Sequence, residues 1–553
     1  MRRVLPSLLS LGLLAGCAGK GGDQPAKTGG AEGGAMARTI VIHNQQEPET
    51  LNGAISSMMA TVDAITPIMS ALITVNDKME YIADLAETVP TLENKGVKLE
   101  GKGMTVTYKL RKAAWHDGKP VTSDDVKFTW QVYQDPAVKA TSRDGYDKIK
   151  AIDTPDAQTV VVHFKEIYAP YLGLFGGIFP RHLLEADLKK QDKPGDSHFN
   201  QSAWNRAPVG SGAFKFKEWV PGDHITYEAN TAYYRGKPKI DTIVFKIIPD
   251  ENNAYTQLQA GAIDIYQSAA LTQYDQLKQM SGVVIHETPS LSYEHLDFNL
   301  ANPVLADVKV RRAISMAINR EEISAKIYKG LYKAAFSDQS PLNTIYYEPA
   351  VEKLSAFDPE GAKKLLDEAG WVVGEDGFRA KGGKQLKLGI ASTSGRKPRE
   401  LTEQVMKSYL KAVGINLEIN NVPGPKLFGR PDGLLYSGQY DLGLYAWVSN
   451  IDPNNIFLWN SKQHPPAGQN YTRYSNPEVD KLTEAGNKTV NTAERAKIYK
   501  RIQLLLAQDA PMMPLLVWTT LNVVNQRIEG FKPNPTSAGN LWNCHEWSIK
   551  QGS

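Results

Sequence analysis

Histidine and cysteine perform much of the chemistry in enzymes and metal sites, and this sequence spaces both widely. The ten histidines stand at positions 43, 116, 163, 182, 198, 224, 286, 295, 464 and 545. No two are four residues apart, the spacing that would place two zinc ligands on one face of a helix. Cys17 and Cys544 form no C-x-x-C pair and cannot build a disulfide framework. We therefore predict neither a metal site nor a cofactor.

Nucleophile and phosphate-binding motifs are also missing. The sequence contains neither G-x-S-x-G nor G-x-x-x-x-G-K-[ST]. Gly210-Ser211-Gly212 superficially suggests a phosphate-binding loop, but strand-like residues follow it instead of a helix, which favours a turn. Carboxylates are abundant, and a glycosidase-like pair stays open because sequence does not show which of them lie together. Nothing in the sequence requires catalysis, and we predict that the protein is not an enzyme.

The elements that must position any site follow from hydrophobic patterns. Three amphipathic helices are predicted after the capping residues Asp307, Asp358 and Thr492. Alternating apolar residues predict strands at 39–43, 104–110, 159–164, 242–248, 386–390 and 415–419. Because strands and helices are mixed without a repeating period, we predict α/β lobes rather than a solenoid.

Length and charge limit the function classes. A chain of 553 residues exceeds what one hydrophobic core normally organises, so two or three lobes are expected. Apolar residues make up 42% and charged residues 22%, an ordinary globular balance. The 63 Lys and Arg residues against 60 Asp and Glu leave a net charge of +3, without a basic stripe. This balance argues against nucleic-acid binding, which needs clustered cations.

The N-terminus is typical of an exported lipoprotein. Arg2 and Arg3 precede a short apolar stretch that is too short to span a membrane. The stretch ends in Leu14-Ala15-Gly16-Cys17, which looks like a bacterial lipobox whose thiol becomes the lipid attachment point. Residues 18–37, rich in Gly, Ala and Lys, are predicted to be a flexible tether. We expect a signal peptide at 1–17, lipidation at Cys17, and a location in the periplasm or on the cell surface. A plain secretory signal with a chance cysteine is the alternative.

Several segments in a fixed order carry a family resemblance. The strongest is 110–126, in which Trp115-His116-Asp117-Gly118 forms a W-x-D-G turn and Thr122 with Asp125 resembles a capping box. Further matching segments lie at 208–214, 230–238, 259–264, 296–299 and 310–313. Together they resemble the family 5 extracellular solute-binding proteins, the oligopeptide- and dipeptide-binding receptors of ABC importers.

The resemblance implies an α/β, three-domain, bilobal periplasmic-binding-protein clamp of type II, with the extra inserted lobe of the large peptide-binding cluster. Solute would enter between the lobes and be buried by hinge closure. Carried onto this sequence, domain I covers 38–78, 206–297 and 520–553, domain II covers 79–205, and domain III covers 298–519. These boundaries are expectations from the resemblance.

The resemblance also implies ligand-binding residues. In the family, an acidic residue within W-x-x-D pairs with the free amine of the peptide. The matching segment here begins at Trp447 and places Asn450 at the acidic position, with Asp452 two residues further on. Asp452 could replace the missing acid, or form a turn before Pro453. The strand that pairs with peptide in the family should fall near Met58 and Met59. The remaining candidates are aromatic: Trp447 for a pocket wall, and Tyr471 or Trp542 for stacking on the ligand. Burial in a hydrophobic core is the alternative role for each of the three.

The expected function is capture of oligopeptides and their delivery to the transmembrane subunits of an ABC permease by a monomeric, lipid-anchored receptor. Because Asn450 is neutral, a non-peptide solute such as an oligosaccharide, opine or metal chelate is an alternative load. A sensor or scaffold lipoprotein and a lipoprotein hydrolase are further alternatives. Loss of uptake on deletion would separate import from sensing, and turnover of a bound solute would indicate an enzyme.

Overall fold

A computed structural model describes residues 38–550 of the chain. The predicted signal peptide, Cys17 and the predicted tether therefore lie outside the described residues. The described strands are β1 (Thr39–Asn44), β2 (Ile73–Val75), β3 (Tyr81–Ala83), β4 (Val97–Glu100), β5 (Gly103–Lys109), β6 (Ile149–Asp156), β7 (Thr159–Phe164), β8 (Gln191–Lys193), β9 (Asp196–Ser197), β10 (Phe214–Val220), β11 (His224–Ala229), β12 (Thr242–Ile247), β13 (Ile265–Tyr266), β14 (Val283–Phe298), β15 (Lys333–Ala334), β16 (Val372–Val373), β17 (Arg379–Lys381), β18 (Lys384–Gln385), β19 (Lys387–Ser392), β20 (Asn416–Ile419), β21 (Leu442–Val448), β22 (Met512–Asn525), β23 (Ile528–Glu529) and β24 (Ser548–Ile549).

The α-helices of the same residues are α1 (Met59–Ile65), α2 (Ser123–Gln134), α3 (Arg181–Lys189), α4 (Glu251–Gln259), α5 (Tyr274–Lys278), α6 (Val308–Ala317), α7 (Arg320–Ile327), α8 (Val351–Leu354), α9 (Pro359–Glu368), α10 (Lys397–Ala412), α11 (Gly424–Phe428), α12 (Leu434–Ser437), α13 (Ile456–Trp459), α14 (Pro477–Lys488) and α15 (Thr492–Asp509). None of these described helices combines the length and the apolarity needed to cross a membrane.

The largest sheet is mixed and has the strand order β10-β11-β12-β1-β13-β22-β14-β21-β19-β20, with β15 paired to β22. Parallel pairs lie on both sides of a central antiparallel pair, β14 and β22, the two longest strands. These two strands pair from Val283 with Asn525 to Asp297 with Met512, and their register shifts between Pro289 and Tyr293. Two halves of the sheet are thus joined through one long two-stranded ladder.

Three large hydrophobic cores surround these elements. One contains residues near both ends of the described range, such as Ile40 and Trp547. A second surrounds the four-stranded sheet β4-β5-β7-β6 and contains Trp115. A third packs α6, α9 and α10 against the far half of the large sheet. The three-domain boundaries predicted above stay predictions.

Most predicted elements are present, with shifted ends. The strand predicted at 159–164 is β7, and those predicted at 104–110 and 386–390 are β5 and β19, displaced by one or two residues. Asp307 and Asp358 cap α6 and α9 with their carboxylates. The predicted cap at Thr492 is wrong: Thr492 is the first helical residue, and the Asn491 side chain accepts the hydrogen bond from the Glu494 amide.

The W-x-D-G turn at 115–118 and the Gly210-Ser211-Gly212 segment both have structural roles. Asp125 Oδ2 accepts a hydrogen bond of 2.9 Å from the Thr122 amide and one of 3.3 Å from Trp115 Nε1, which ties the turn to the start of α2. At Gly210 a Cβ would lie 1.8 Å from the Ile68 carbonyl oxygen. Gly210 therefore allows two backbone segments to approach closely, and the strand β10 follows at Phe214, as predicted, instead of a helix.

Candidate functional site

A cavity of about 770 Å³ opens between segments that are far apart in sequence. Its lining comes from 51–84, 133–179, 204–235, 450–457 and 536–545, with Leu291 of β14. This volume lies in the upper part of the range typical of small-molecule sites. We call this cavity the cleft.

One wall of the cleft is formed by α1 and the irregular residues before it. Asn52 is fully buried and fixes this turn, because its Nδ2 donates to Asn205 Oδ1 at 2.8 Å and its Oδ1 accepts from the Ala54 amide at 2.9 Å. Met59 is 50% exposed and lines the cleft, whereas Met58 is not among the lining residues. The expected strand at this position is wrong, since Met59 is the first residue of α1.

A second wall is rich in tyrosine, and we call Tyr81, Tyr133, Tyr146 and Tyr168 the tyrosine wall. The rings of Tyr133 and Tyr146 stack with centroids 4.0 Å apart, and the Tyr146 hydroxyl accepts a hydrogen bond of 2.8 Å from the Phe175 amide. Tyr168 Oη donates to Asp144 Oδ2 at 3.3 Å. Burial, with smaller contributions from Asp144 and Asp452, raises the pKa of Tyr168 far above its usual range. The phenol therefore stays neutral and keeps its proton as a donor to Asp144.

The segment 450–452 also lines the cleft and begins two residues after the end of β21. Among the described residues, the backbone N–H groups of Asn450, Ile451 and Asp452 have no hydrogen-bond partner in the chain. The Asn450 side chain is exposed and also has no partner there. Unpaired backbone donors at a strand end are suited to adding an extended segment.

Asp452 lines the cleft but already has a cation. Arg495 donates from Nη1 to Oδ2 at 2.6 Å and from Nη2 to Oδ1 at 2.7 Å. The Asp452 side chain is 16% exposed and the Arg495 side chain is 5% exposed. Oδ1 also accepts a hydrogen bond of 3.0 Å from the Asn454 amide, as expected of a turn-forming Asp. The turn-forming interpretation of Asp452 therefore has a structural basis, while its role toward a ligand stays a prediction.

The three aromatic candidates occupy different surroundings. Trp542 lines the cleft, and its Nε1 donates to the Lys532 carbonyl at 2.9 Å. Trp447 and Tyr471 are not among the lining residues. Their rings stack on each other with centroids 6.2 Å apart, and Tyr471 is 5% exposed within a hydrophobic core. The structure thus brings Met59, Asn450, Asp452 and Trp542 together and leaves Met58, Trp447 and Tyr471 behind the lining.

The remaining charges of the lining are partly neutralised. Asp84 pairs with Arg235 at 3.0 Å and accepts a further hydrogen bond from Tyr234. Burial lowers the pKa of His545, assisted by the nearby Arg235, so the imidazole is neutral at pH 7. Asp144 has no cation within ion-pairing distance among the described residues. No group of three or more metal-ligating side chains is found in residues 38–550.

A model of one known protein family matches most of the chain. The family model for bacterial extracellular solute-binding proteins, family 5 Middle, matches residues 80–469. The chain belongs to this family. Its fold is accordingly the mixed α/β clamp of two lobes predicted from the resemblance, and the family is one of substrate-binding transport proteins outside the cytoplasm.

Relatives of known name cover nearly the whole chain. The oligopeptide-binding protein AppA of Bacillus subtilis is 29% identical over 518 residues, 92% of this chain and 91% of AppA. The structure of AppA with a nonapeptide matches with a TM-score of 0.71 at 28% identity, covering 93% of this chain and 99% of AppA. NikZ of Campylobacter jejuni, solved with Ni(L-His), matches with a TM-score of 0.75 at 26% identity and covers 93% and 100%. The ABC transporter substrate-binding protein CtaP of Listeria monocytogenes gives 0.78 at 25% identity, covering 93% and 99%.

Several groups at the cleft were not identified from sequence: Asp144, the tyrosine wall, Arg235 and Arg495. Tyrosines are common in cores, and no local spacing distinguishes those of the wall. Arg495 lies 43 residues from Asp452, so their pairing depends on α15 returning toward the 450–452 segment. Asp144 stands in a polar loop with Ser142 and Gly145, which sequence alone assigns to an ordinary turn.

Proposed function

We propose that this family member captures oligopeptides in the cleft and delivers them to the transmembrane subunits of an ABC importer. The observation that supports this proposal best is the unpaired backbone of 450–452 beside a cleft of about 770 Å³. Main-chain carbonyls of an extended peptide accept hydrogen bonds from these amides, which gives affinity without selecting side chains. The nonapeptide ligand of AppA and the transporter role in the name of CtaP support the same load and partner.

The proposal includes attachment and assembly. Cys17 carries the lipid, and the protein works as a monomer tethered to the membrane outside the cytoplasm. It binds its load without chemical conversion. In this proposal Met59 and Trp542, with the backbone of Asn450 and Asp452, contact the peptide at the lining. Met58, Trp447 and Tyr471 support the lining from behind and do not touch the peptide.

Native mass spectrometry of the protein, purified without refolding, tests the load. A series of bound masses that fragment into peptides is the expected result, because closure of a clamp slows dissociation. A single bound mass of an oligosaccharide, an opine or a metal chelate would overturn the peptide proposal.

A matched pair of variants tests the backbone pairing. Ile451→Pro removes the central amide donor, while Ile451→Ala shortens the same side chain and keeps that donor. We expect peptide affinity to fall about tenfold in Ile451→Pro, the effect of one lost hydrogen bond of about 1.4 kcal/mol, and to change little in Ile451→Ala. Equal affinities in two folded variants would remove this segment from the binding mode.

A further inference from the structure

The charges along the cleft do not balance. Three carboxylates line it, Asp84, Asp144 and Asp452. Asp84 is neutralised by Arg235 and Asp452 by Arg495. His545 adds no charge at pH 7, since burial keeps its imidazole neutral. The described lining is therefore left with one uncompensated negative charge, at Asp144.

Cations close to Asp144 in sequence are engaged elsewhere. The Arg143 guanidinium donates to the carbonyls of Asp135 and Val138, at 3.0 and 2.6 Å. Lys148 Nζ lies 2.9 Å from Glu166 Oε1 and 3.9 Å from Asp147 Oδ2. The single side-chain hydrogen bond received by the Asp144 carboxylate comes from the Tyr168 hydroxyl at 3.3 Å. Neither nearby cation forms an ion pair with this carboxylate.

The surroundings of Asp144 are suited to a positively charged ligand group. Tyr146 and Tyr168 line the cleft next to this carboxylate, and both are largely buried, with Tyr146 stacked on Tyr133. They place a surface of low polarity beside Asp144, where a charge pair is less screened than in water. Partial desolvation, together with repulsion from Asp147, raises the pKa of Asp144, while the Tyr168 hydroxyl and the charge of Lys148 oppose this shift. When the cleft is filled, water is displaced, and an unpaired carboxylate there becomes more costly unless the ligand supplies a cation.

We infer that Asp144 is a specificity-determining residue, which pairs with a cationic group of the peptide, an N-terminal ammonium or a Lys or Arg side chain, against Tyr146 and Tyr168. This inference rests on the proposed function. Asn450 is neutral and Asp452 is paired, so the cation is recognised from the tyrosine wall and not from the 450–452 segment. Among the described lining residues no unpaired cation faces the peptide carboxylate, so we expect C-terminal amidation to have little effect on affinity.

Binding of synthetic peptides to the full chain tests this inference by isothermal titration. The probes are nonapeptides with and without one Lys, each with a free or an acetylated N-terminus. Wild-type protein should bind the doubly neutral peptide at least tenfold more weakly than the peptide that carries the preferred cation. Comparison of the acetylated Lys peptide with the free, Lys-free peptide shows which cation is recognised.

The variants are Asp144→Asn and Asp144→Ser, with Asp147→Asn as a matched control. Asp147 lies in the same loop, is exposed as Asp144 is, carries the same charge and is not among the lining residues. The Asp144 variants should lose the preference for cationic peptides and keep affinity for the neutral one, while Asp147→Asn keeps the preference. Unchanged preference in both Asp144 variants would overturn the inference alone. Wild-type protein that binds none of the peptides would overturn the proposed function, and this inference with it.

Discussion

Asp452 and Arg495 form a bidentate ion pair in the wall of the cleft, with N–O distances of 2.6 and 2.7 Å. Arg495 is also held by a hydrogen bond of 2.8 Å from its Nε to the Gly486 carbonyl. The pair connects the 450–452 segment to α15, so Asp452 positions the segment that carries the unpaired amides. Its carboxylate has a counterion before any peptide amine arrives.

Substitution of Asp452 should therefore act mainly on stability. Asp452→Asn leaves the buried Arg495 guanidinium without its counterion, and removal of one partner of a buried pair costs about 3 kcal/mol or more. Urea unfolding at neutral pH measures the loss. The double variant Asp452→Leu with Arg495→Met should recover part of it, because no unpaired charge then remains. A fully stable Asp452→Asn that binds free amines poorly would instead identify Asp452 as the amine receptor.

At Asn450 a carboxylate can be added instead of removed, because this side chain is exposed in the cleft and unpaired within the described chain. Asn450→Asp adds a carboxylate where the family resemblance places the amine-binding acid. We expect affinity for peptides with a free N-terminus to rise about tenfold relative to acetylated peptides, the gain of one charge-assisted hydrogen bond. Asn450→Ser controls for loss of the amide. An unchanged ratio of the two affinities would place the peptide amine elsewhere.

Trp447 should contribute to stability and not to affinity. Its ring stacks on Tyr471 and lies edge-on to Tyr445, with centroids 6.2 and 5.7 Å away. Trp447→Ala removes these contacts and should lower the free energy of unfolding by about 3 kcal/mol, with peptide affinity changed less than twofold. Met59→Ala is the comparison, because Met59 lines the cleft and is 50% exposed. It should weaken peptide binding at little cost in stability. The reverse pattern would place Trp447 in the binding surface.

The sequence identified the fold more completely than the site. Local signals sufficed where one turn or one periodic stripe determines an element, as at Asp307, Asp358 and the Thr122–Asp125 box. The cleft depends on groups that chain folding brings together over long separations, such as Asp452 with Arg495. The lining also depends on which of two adjacent methionines reaches the cleft. Met59 lines it and Met58 does not, because α1 begins at Met59.

Lipid attachment at Cys17 predicts a change of location on substitution. Cys17→Ser removes the thiol that we propose as the lipid attachment point, so the membrane-associated fraction should fall and the protein should appear in the soluble fraction or the medium. Fractionation followed by immunoblotting measures this shift. Globomycin blocks signal-peptide cleavage of lipoproteins, so the wild-type chain treated with it should accumulate as an uncleaved precursor. A Cys17→Ser variant that stays as membrane-associated as wild type would contradict the predicted anchor.

Asp297 predicts how stability depends on pH. The side chain is 3% exposed in β14, and burial raises the pKa of its carboxyl to about 7. The unfolded chain releases this proton near pH 4, whereas the folded chain keeps it until about pH 7. This group's contribution to the free energy of unfolding therefore falls as pH rises from 4 to 7, by at most about 4 kcal/mol.

Asp297→Asn should remove this dependence and increase stability relative to wild type at pH 8, with little difference at pH 4.5. Urea unfolding across this range measures it, and Glu375→Gln on an exposed turn controls for the lost charge. Parallel curves for Asp297→Asn and wild type would show that Asp297 is ionised in the folded protein.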